Sequence, residues 1–562
     1  MKRLALFALP FCTAWLTAPP PETKAEVRFY LSTDCPVALK YSERINRLVE
    51  QFQPKGVDFQ AVFPNEGETA YGTSAYMAET HHNFAFRLDP AGKLAKQDGI
   101  AIIPSILIRD TQGRIVYRGA IDDDPTGGKV KTAYAQKVLS ALVANRPVPF
   151  KSQPATGCVL MPGPQAPSAD QVNFSQHVAP IVYKHCAPCH SPGQVAPFSL
   201  RSYDEARKWS KNIAIAVETK AMPPWKAVDG YNEFIDPNRL TPAEIETLKN
   251  WADAGAPLGD PKRQPAPPPI PEGWQLGTPD FIASPDKPFQ LEAEGRDVYR
   301  NFVIKTDFKE SRWVTGMDVR PGNPRVVHHV IAFLDSGHNA EALEKKNNDG
   351  QPGYSTFGGV GFLPSGSLGG WAPGIAPYRT NGDLAFELKP GTTIVLQVHY
   401  HKNGKVEQDL TKVGLYFSKT PPKHVLNLAW IPNLGLRIPP NDPAYTAHQR
   451  FPIPVDVTVY GAMPHMHLLG KSMKAWVELP DKTIKPLVWV DDWDFNWQLQ
   501  YRFKQPLKVP RGSTIHIEAV YDNSAKNKNQ PNDPPQFVRW GEQTTDEMML
   551  LILAFSVDTQ NG

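Results

Sequence analysis

Over the first 150 residues, short apolar runs alternate with one long amphipathic stretch. Val27–Leu31 and Val57–Val62 read as strands. Between them, Pro36 to Phe52 repeats apolar residues at helical spacing, with Leu39, Ile45, Leu48 and Val49 as core candidates. A turn at Asp110–Gly113 joins Ser105–Arg109 to Arg114–Arg118 as a hairpin, and Lys131–Leu142 closes with a helix. The predicted order is β-α-β-α-β-β-α. A second domain, about Asn173 to Asp260, ends in a helix with a readable start. Thr241 is its N-cap, Pro242 its first residue, and Glu244 completes a Thr-x-x-Glu capping box. Ile245, Leu248, Trp251 and Ala252 form one face, and Gly255 with Pro257 ends the helix. Beyond residue 279 helical periodicity fades. Two packed antiparallel β-sandwich domains of jelly-roll type are expected, over 279–420 and 421–562, split near Lys419-Thr420-Pro421-Pro422.

A chain of 562 residues corresponds to about three to five domains. The run Gln264-Pro265-Ala266-Pro267-Pro268-Pro269-Ile270-Pro271, within a linker over 263–278, should be stiff polyproline II and separate the helical domain from everything after it. Met1-Lys2-Arg3 followed by an apolar stretch to about Ala18 reads as a secretory signal within residues 1–25. Cleavage after Ala18 or Ala25 fits the small-residue rule about equally. No later stretch is long and apolar enough to span a bilayer. A net charge of only +3, with both signs dispersed, argues against nucleic acid or an anionic membrane as partner.

Cys186-Ala187-Pro188-Cys189-His190 is the attachment sequence of a covalent c-type haem, with two thioether-forming thiols and His190 as proximal iron ligand. A zinc half-site would need a second Cys/His pair, and His177 and His185 have the wrong spacing. Covalent haem and export both point to the periplasm of a Gram-negative bacterium. Cys12 lies in the signal. That leaves Cys35 and Cys158 as a candidate disulfide in an oxidising compartment.

The order of elements over 26–150, with Cys35 at the start of the first helix and Pro104 before a late strand, resembles a thioredoxin-like domain. The resemblance implies a cis peptide before Pro104. The redox position reads Ser32-Thr33-Asp34-Cys35 rather than CxxC, so exchange through a vicinal pair is unavailable. The domain over 165–262 resembles class I-like cytochromes c. Met222, in Ala221-Met222-Pro223-Pro224-Trp225, is then a candidate distal ligand, against the alternative of a packed core methionine.

Ten of the 15 histidines lie between His328 and His516. Six form three clusters: His328-His329, His399-Tyr400-His401 and His465-Met466-His467, each among apolar residues and read as a strand. His465 and His467 would face one side of a strand, whereas His328 and His329 would need a bulge to converge. All-imidazole clusters without cysteine favour copper or zinc. The pattern resembles the copper type II, ascorbate-dependent monooxygenases, the family of peptidylglycine α-hydroxylating and dopamine β-monooxygenases, over roughly residues 280–562. The resemblance implies an electron-storing copper on His328, His329 and His399. It also implies an oxygen-binding copper on His465, His467 and Met548, the last within Asp546-Glu547-Met548. Met463, Met466, Met473 and Met549 are rival thioethers, and His401 is a rival imidazole sharing a face with His399.

Where the peptide hydroxylase carries an Arg, an Asn and a Tyr for its substrate carboxylate, this chain has Met463, Leu550 and Ile552. A more apolar pocket follows. The expected activity is hydroxylation of a C–H bond of a small organic substrate by O2, with two copper ions and one haem c per chain. Electrons would come from ascorbate or a periplasmic donor through the haem. The rival is a non-enzymatic electron-transfer or copper-binding protein.

Overall fold

The computed structural model describes residues 23–558 apart from 164–166, 169, 193, 195, 270–272, 348, 357–358 and 374. Most of the expected signal segment, with Cys12, lies outside the described residues, as do Ile270 and Pro271 of the proline run. The chain divides into two units, residues 1–165 and 166–562.

In the first unit a six-stranded sheet runs in the order Ala85–Leu88, Val57–Phe63, Ala25–Tyr30, Ser105–Asp110, Ile115–Gly119, Ser152–Gln153. Ala25–Tyr30 pairs parallel with Val57–Phe63 and antiparallel with Ser105–Asp110. Ala25, assigned above to the signal, is instead the buried first residue of this central strand. Helix Pro36–Phe52 buries Ala38, Tyr41, Ile45, Leu48, Val49 and Phe52. Leu39, read as core, is 47% exposed, because one residue step rotates about 100° off that stripe. Strand Ala85–Leu88 alternates exposed and half-buried positions, which is why no apolar run announces it. The closing helix, Tyr134–Val143, starts three residues later than read from Lys131. Cys35 and Cys158 form a disulfide. Cys158–Val159 pairs with Ile102–Ile103, beside a cis Ile103–Pro104 peptide.

The second unit opens with helices Ala179–His185, Tyr203–Lys208, Ser210–Glu218 and Pro242–Asp253 around Phe174, Val182, Leu248 and Trp251. Both halves of the Thr241/Glu244 capping box form, and Gly255 ends the helix at φ +80°. Its face is Thr247, Leu248, Trp251 and Ala252, with Ile245 half-buried at the edge.

Two pairs of sheets follow, each enclosing one core. The first pair joins Val298–Ile304, Thr393–Tyr400 and Val327–Asp335 to a facing sheet holding Leu384–Leu388, Arg312–Arg320 and Lys412–Ser418. The second joins Asn427–Pro432, Leu550–Val557, Val457–His465 and Tyr501–Val509 to Tyr445–Pro452, Thr514–Tyr521, Gly470–Glu478 and Ile484–Val490. The split falls after residue 426 rather than at 419–422. Strand His424–Val425 still pairs with Leu384–Leu388, and the Leu426 amide donates to the Ala385 carbonyl.

The helical domain is not held apart by its proline linker. Residues 225–236 lie along the second sandwich as a strap over two strands at the ends of its sheets, Ile484–Val490 and Tyr501–Val509. Val228 donates to the Trp489 carbonyl at 2.8 Å, Ile235 to that of Arg502 at 2.8 Å, and Lys504 back to that of Glu233 at 2.9 Å. Trp225 and Phe234 pack on Tyr501, with centroids 5.1 and 5.3 Å apart. Sheet-edge backbone groups need partners, a long-range demand that local composition does not reveal. The linker itself is pinned: Arg201 donates to the Pro268 carbonyl and Gln264 to the Tyr183 hydroxyl.

Candidate metal centres

His328 and His329 begin strand Val327–Asp335, and His399 lies on the neighbouring Thr393–Tyr400. Pairing runs Val327 to Tyr400 and then His329 to His399, so the register slips at His328. This is the bulge that the adjacent pair requires. Ring centroids are 5.4 Å (328–329), 4.9 Å (328–399) and 4.8 Å (329–399). One nitrogen from each ring lies within 4.8 Å of the others.

Asp297 orients this group, and nothing local in the sequence marked it. Its carboxylate meets His399 Nε2 at 3.0 Å and His401 Nδ1 at 3.1 Å, and accepts from Thr544 Oγ1 of the second sandwich at 2.9 Å. Burial pushes Asp297 up, but His399, Thr544 and His401 outweigh it and hold the carboxyl at about 2. With His399 Nε2 committed to Asp297, its Nδ1 is buried without a hydrogen-bond partner. His401 is not on the strand, which ends at Tyr400; its side chain is 68% exposed and it shares Asp297 from outside. Tyr299 stacks flat on His399 at 4.2 Å and 9°.

The second group is built differently from the expectation. Strand Val457–His465 ends at His465, so alternation does not align His467. A buried carboxylate does so instead. Glu547 accepts from the amides of His467 (2.8 Å), Leu469 (2.8 Å) and Met548 (2.9 Å), tying the histidine turn to the methionine segment. Burial pushes Glu547 up to about 8 against the pull of these donors. The only local signal was an acid immediately before an apolar run. His465 Nδ1 meets Gln498 Oε1 at 2.8 Å, and His467 Nδ1 meets the Asp546 carbonyl at 3.2 Å. Both hydrogen bonds direct the opposite nitrogens outward. The His465 and His467 rings stand perpendicular at 5.3 Å.

Burial, reinforced by neighbouring imidazoles, lowers His328 and His467 to about 3 and His329 well below its ordinary value. Burial, with a smaller push from His399 and against the hydrogen bond to Gln498, lowers His465 to about 4. All four are neutral at pH 7, the state a metal requires, and His328 Nδ1 and His329 Nδ1 share a hydrogen bond of 3.2 Å.

A cavity of about 850 Å³ opens between the sandwiches and is lined by His329, His465, His467, Met548 and Met463. Leu550 and Ile552 line it too, at the positions where the expected pocket is apolar. Met466, Met473 and Met549 are buried in the second core, and Met549 Sδ accepts from Asn433. Met463 remains the rival thioether beside Met548.

In the helical domain, His190 follows Cys186 by one helical turn, its amide donating to the Cys186 carbonyl at 2.8 Å. His190 Nδ1 is 3.1 Å from the Phe198 carbonyl, leaving Nε2 free. Cys186 and Cys189 are unpaired thiols, and burial pushes Cys186 up to about 12. Met222 is half-buried, just beyond helix Ser210–Glu218, with its amide on the Ala216 carbonyl. No helix among the described residues is long and apolar enough to cross a membrane.

Residues 17–137 match the redoxin family model. Residues 439–560 match that of the copper type II ascorbate-dependent monooxygenase, C-terminal domain. The human DBH-like monooxygenase protein 2 is 23% identical over 256 residues, 42% of this chain and 47% of that protein, so the match spans about half of that relative. An uncharacterized conserved protein from Geobacillus kaustophilus is 28% identical over 26% of this chain and 82% of its own, with a TM-score of 0.25. A secreted Mycobacterium tuberculosis disulfide oxidoreductase homologous to E. coli DsbE is 14% identical over 22% and 83%, with a TM-score of 0.17. Such TM-scores carry no weight for the fold. The chain thus carries a redoxin, thioredoxin-like N-terminal domain and a copper type II ascorbate-dependent monooxygenase C-terminal domain.

Proposed function

We propose that this chain is a periplasmic copper monooxygenase of a Gram-negative bacterium. It hydroxylates a C–H bond of a small organic substrate with O2, using electrons delivered through its own c-type haem from ascorbate or a periplasmic carrier. The observation that carries the reading is the shared cavity: His329 of one sandwich and His465, His467 and Met548 of the other open onto it.

Two copper ions per chain are assigned, one to His328, His329 and His399, the other to His465, His467 and Met548. The donor sets fit. The first offers three imidazoles with one nitrogen from each within 4.8 Å of the others; the second adds a soft thioether, which favours the reduced ion. Bound copper supplies dioxygen binding and one-electron chemistry. The protein holds the imidazoles in one tautomer through Asp297, Gln498 and the Asp546 carbonyl. Apolar walls at Leu550 and Ile552 keep bulk water from the reacting bond. One oxygen atom enters the C–OH product and the other leaves as water, consuming two electrons and two protons.

Haem attachment is assigned to Cys186 and Cys189, with His190 proximal and Met222 distal. The Phe198 carbonyl fixes the His190 tautomer, and the two neutral thiols suit thioether formation better than thiolate ligation.

The test is copper content with oxygen uptake on purified full-length protein. Near two equivalents are expected in wild type. Met548→Ala should abolish oxygen-dependent product while one equivalent remains on the imidazole-only set. A single equivalent in wild type, or product formation by Met548→Ala, sinks the oxygenase reading. Haem that survives acid extraction in wild type but not in the doubly substituted Cys186→Ser, Cys189→Ser protein is expected from the haem assignment.

A further inference from the structure

The cavity differs in chemistry along its length, and the sheet register supplies the ruler. On strand Val457–His465, His465 pairs with Leu550, Met463 with Ile552 and Gly461 with Ala554. Leu550, Ile552 and Ala554 all line the cavity, forming an apolar track that starts beside the metal-ligand end. On its other side Gly461 pairs with Arg502. Arg502 therefore sits four residues, roughly 13 Å, from His465.

That far end is basic. The Arg502 guanidinium lies 4.0 Å over the ring of Tyr378 of the first sandwich, and Arg379 is the next residue. All three line the cavity. The nearby acids occupy these cations only in part. Asp236 reaches Arg502 only at 3.5 Å, with its own side chain 85% exposed. Lys504 is taken by Glu233 at 3.2 Å, and Asp383 by Lys423 at 3.2 Å. Among the described residues Arg379 meets the Tyr416 ring at 5.0 Å and the Phe417 carbonyl at 3.5 Å rather than a carboxylate. Burial pushes the Tyr378 hydroxyl up, so it stays a neutral donor.

We infer that the substrate is an amphipathic anion: an apolar body on the Leu550–Ile552–Ala554 track, a carboxylate at Arg379 and Arg502, and the reacting C–H bond at the opposite end. This rests on the cavity being the oxygenase substrate site. The backbone separation of roughly 13 Å between Arg502 and His465 makes an acid of about ten carbons a suitable probe. An arginine guanidinium at this end can hold a carboxylate by charge-assisted hydrogen bonds.

The experiment is calorimetric titration of full-length protein freed of copper, with decanoate and decanol as probes. Decanoate should bind at least about tenfold tighter than decanol. Arg379→Gln and Arg502→Gln should each remove most of that preference, and Arg502→Lys should keep part of it. Circular dichroism of each variant checks that it is folded. Equal binding of the two probes, or a preference untouched by both glutamine variants, overturns the inference. Because binding is read without copper, a protein that prefers decanoate yet takes up no oxygen when loaded supports the anionic end and sinks the oxygenase reading alone.

Discussion

The ring of Phe495 stacks on the imidazole of His328, with centroids 5.1 Å apart and planes 20° from parallel. Its edge meets His467 at 5.8 Å and 85°. One side chain of the second sandwich thus touches an imidazole from each candidate centre. It packs the second sandwich against the first beside both candidate centres. Phe495→Ala should cost about 1–2 kcal/mol, since the residue is only half-buried. It should also broaden the copper–copper distance distribution seen by pulsed electron paramagnetic resonance, while Phe495→Tyr keeps it narrow. An unchanged distribution in the alanine variant removes Phe495 from this role.

Asp297 supports the first centre from one domain while accepting from Thr544 of the other. Asp297→Ala frees His399 to rotate and should weaken copper at the imidazole-only set by about 10–100-fold, leaving the second set unchanged. Competitive chelator titration separates the two sites. Equal weakening of both indicates a general loss of packing instead.

Glu547 should not be replaceable by its amide. Its two oxygens accept from three backbone N–H groups, and glutamine would point its NH2 at one of those donors. Glu547→Gln should cost about 2 kcal/mol and selectively weaken copper at His465, His467 and Met548. Denaturant unfolding and metal content read the two effects separately.

Stability without metal should depend steeply on acidity. His328, His329, His465 and His467 are all held below the ordinary histidine value of 6.5. Below about pH 6.5 the unfolded chain takes up protons that the folded one refuses. The stability these groups contribute is complete above that point and is lost as pH falls toward 4 and then 3. Four such groups give a limiting slope of roughly 5 kcal/mol per pH unit. The melting temperature of copper-free protein should drop sharply between pH 7 and 5. The doubly substituted His465→Gln, His467→Gln protein should show about half the slope.

The candidate ligand residues stood out in the sequence because each sits in a short motif. His328-His329 even carried its bulge, since adjacent residues on a regular strand cannot converge. The helix start at Thr241 was legible for the same reason, its hydrogen bonds spanning three residues. What escaped notice acts across long separations. Asp297 reaches His399 over 102 residues, and Lys226 reaches Asp492 over 266. No local period encodes such pairs. The reading of His465 and His467 as one strand face erred because a clamp 80 residues away, Glu547, replaces alternation. Leu39 erred by a single step in helical phase.

The strap of residues 225–236 means that the helical module was not bolted onto a finished pair of sandwiches. Its amides complete the borders of the second sandwich, and Ile235 forms part of the cavity wall. A fragment beginning at residue 279 would expose bare strand borders, and in dilute solution it should self-associate where the intact chain does not, as sedimentation velocity would reveal. Exchanging the helical module for another would therefore require re-tailoring the sandwich it straps as well.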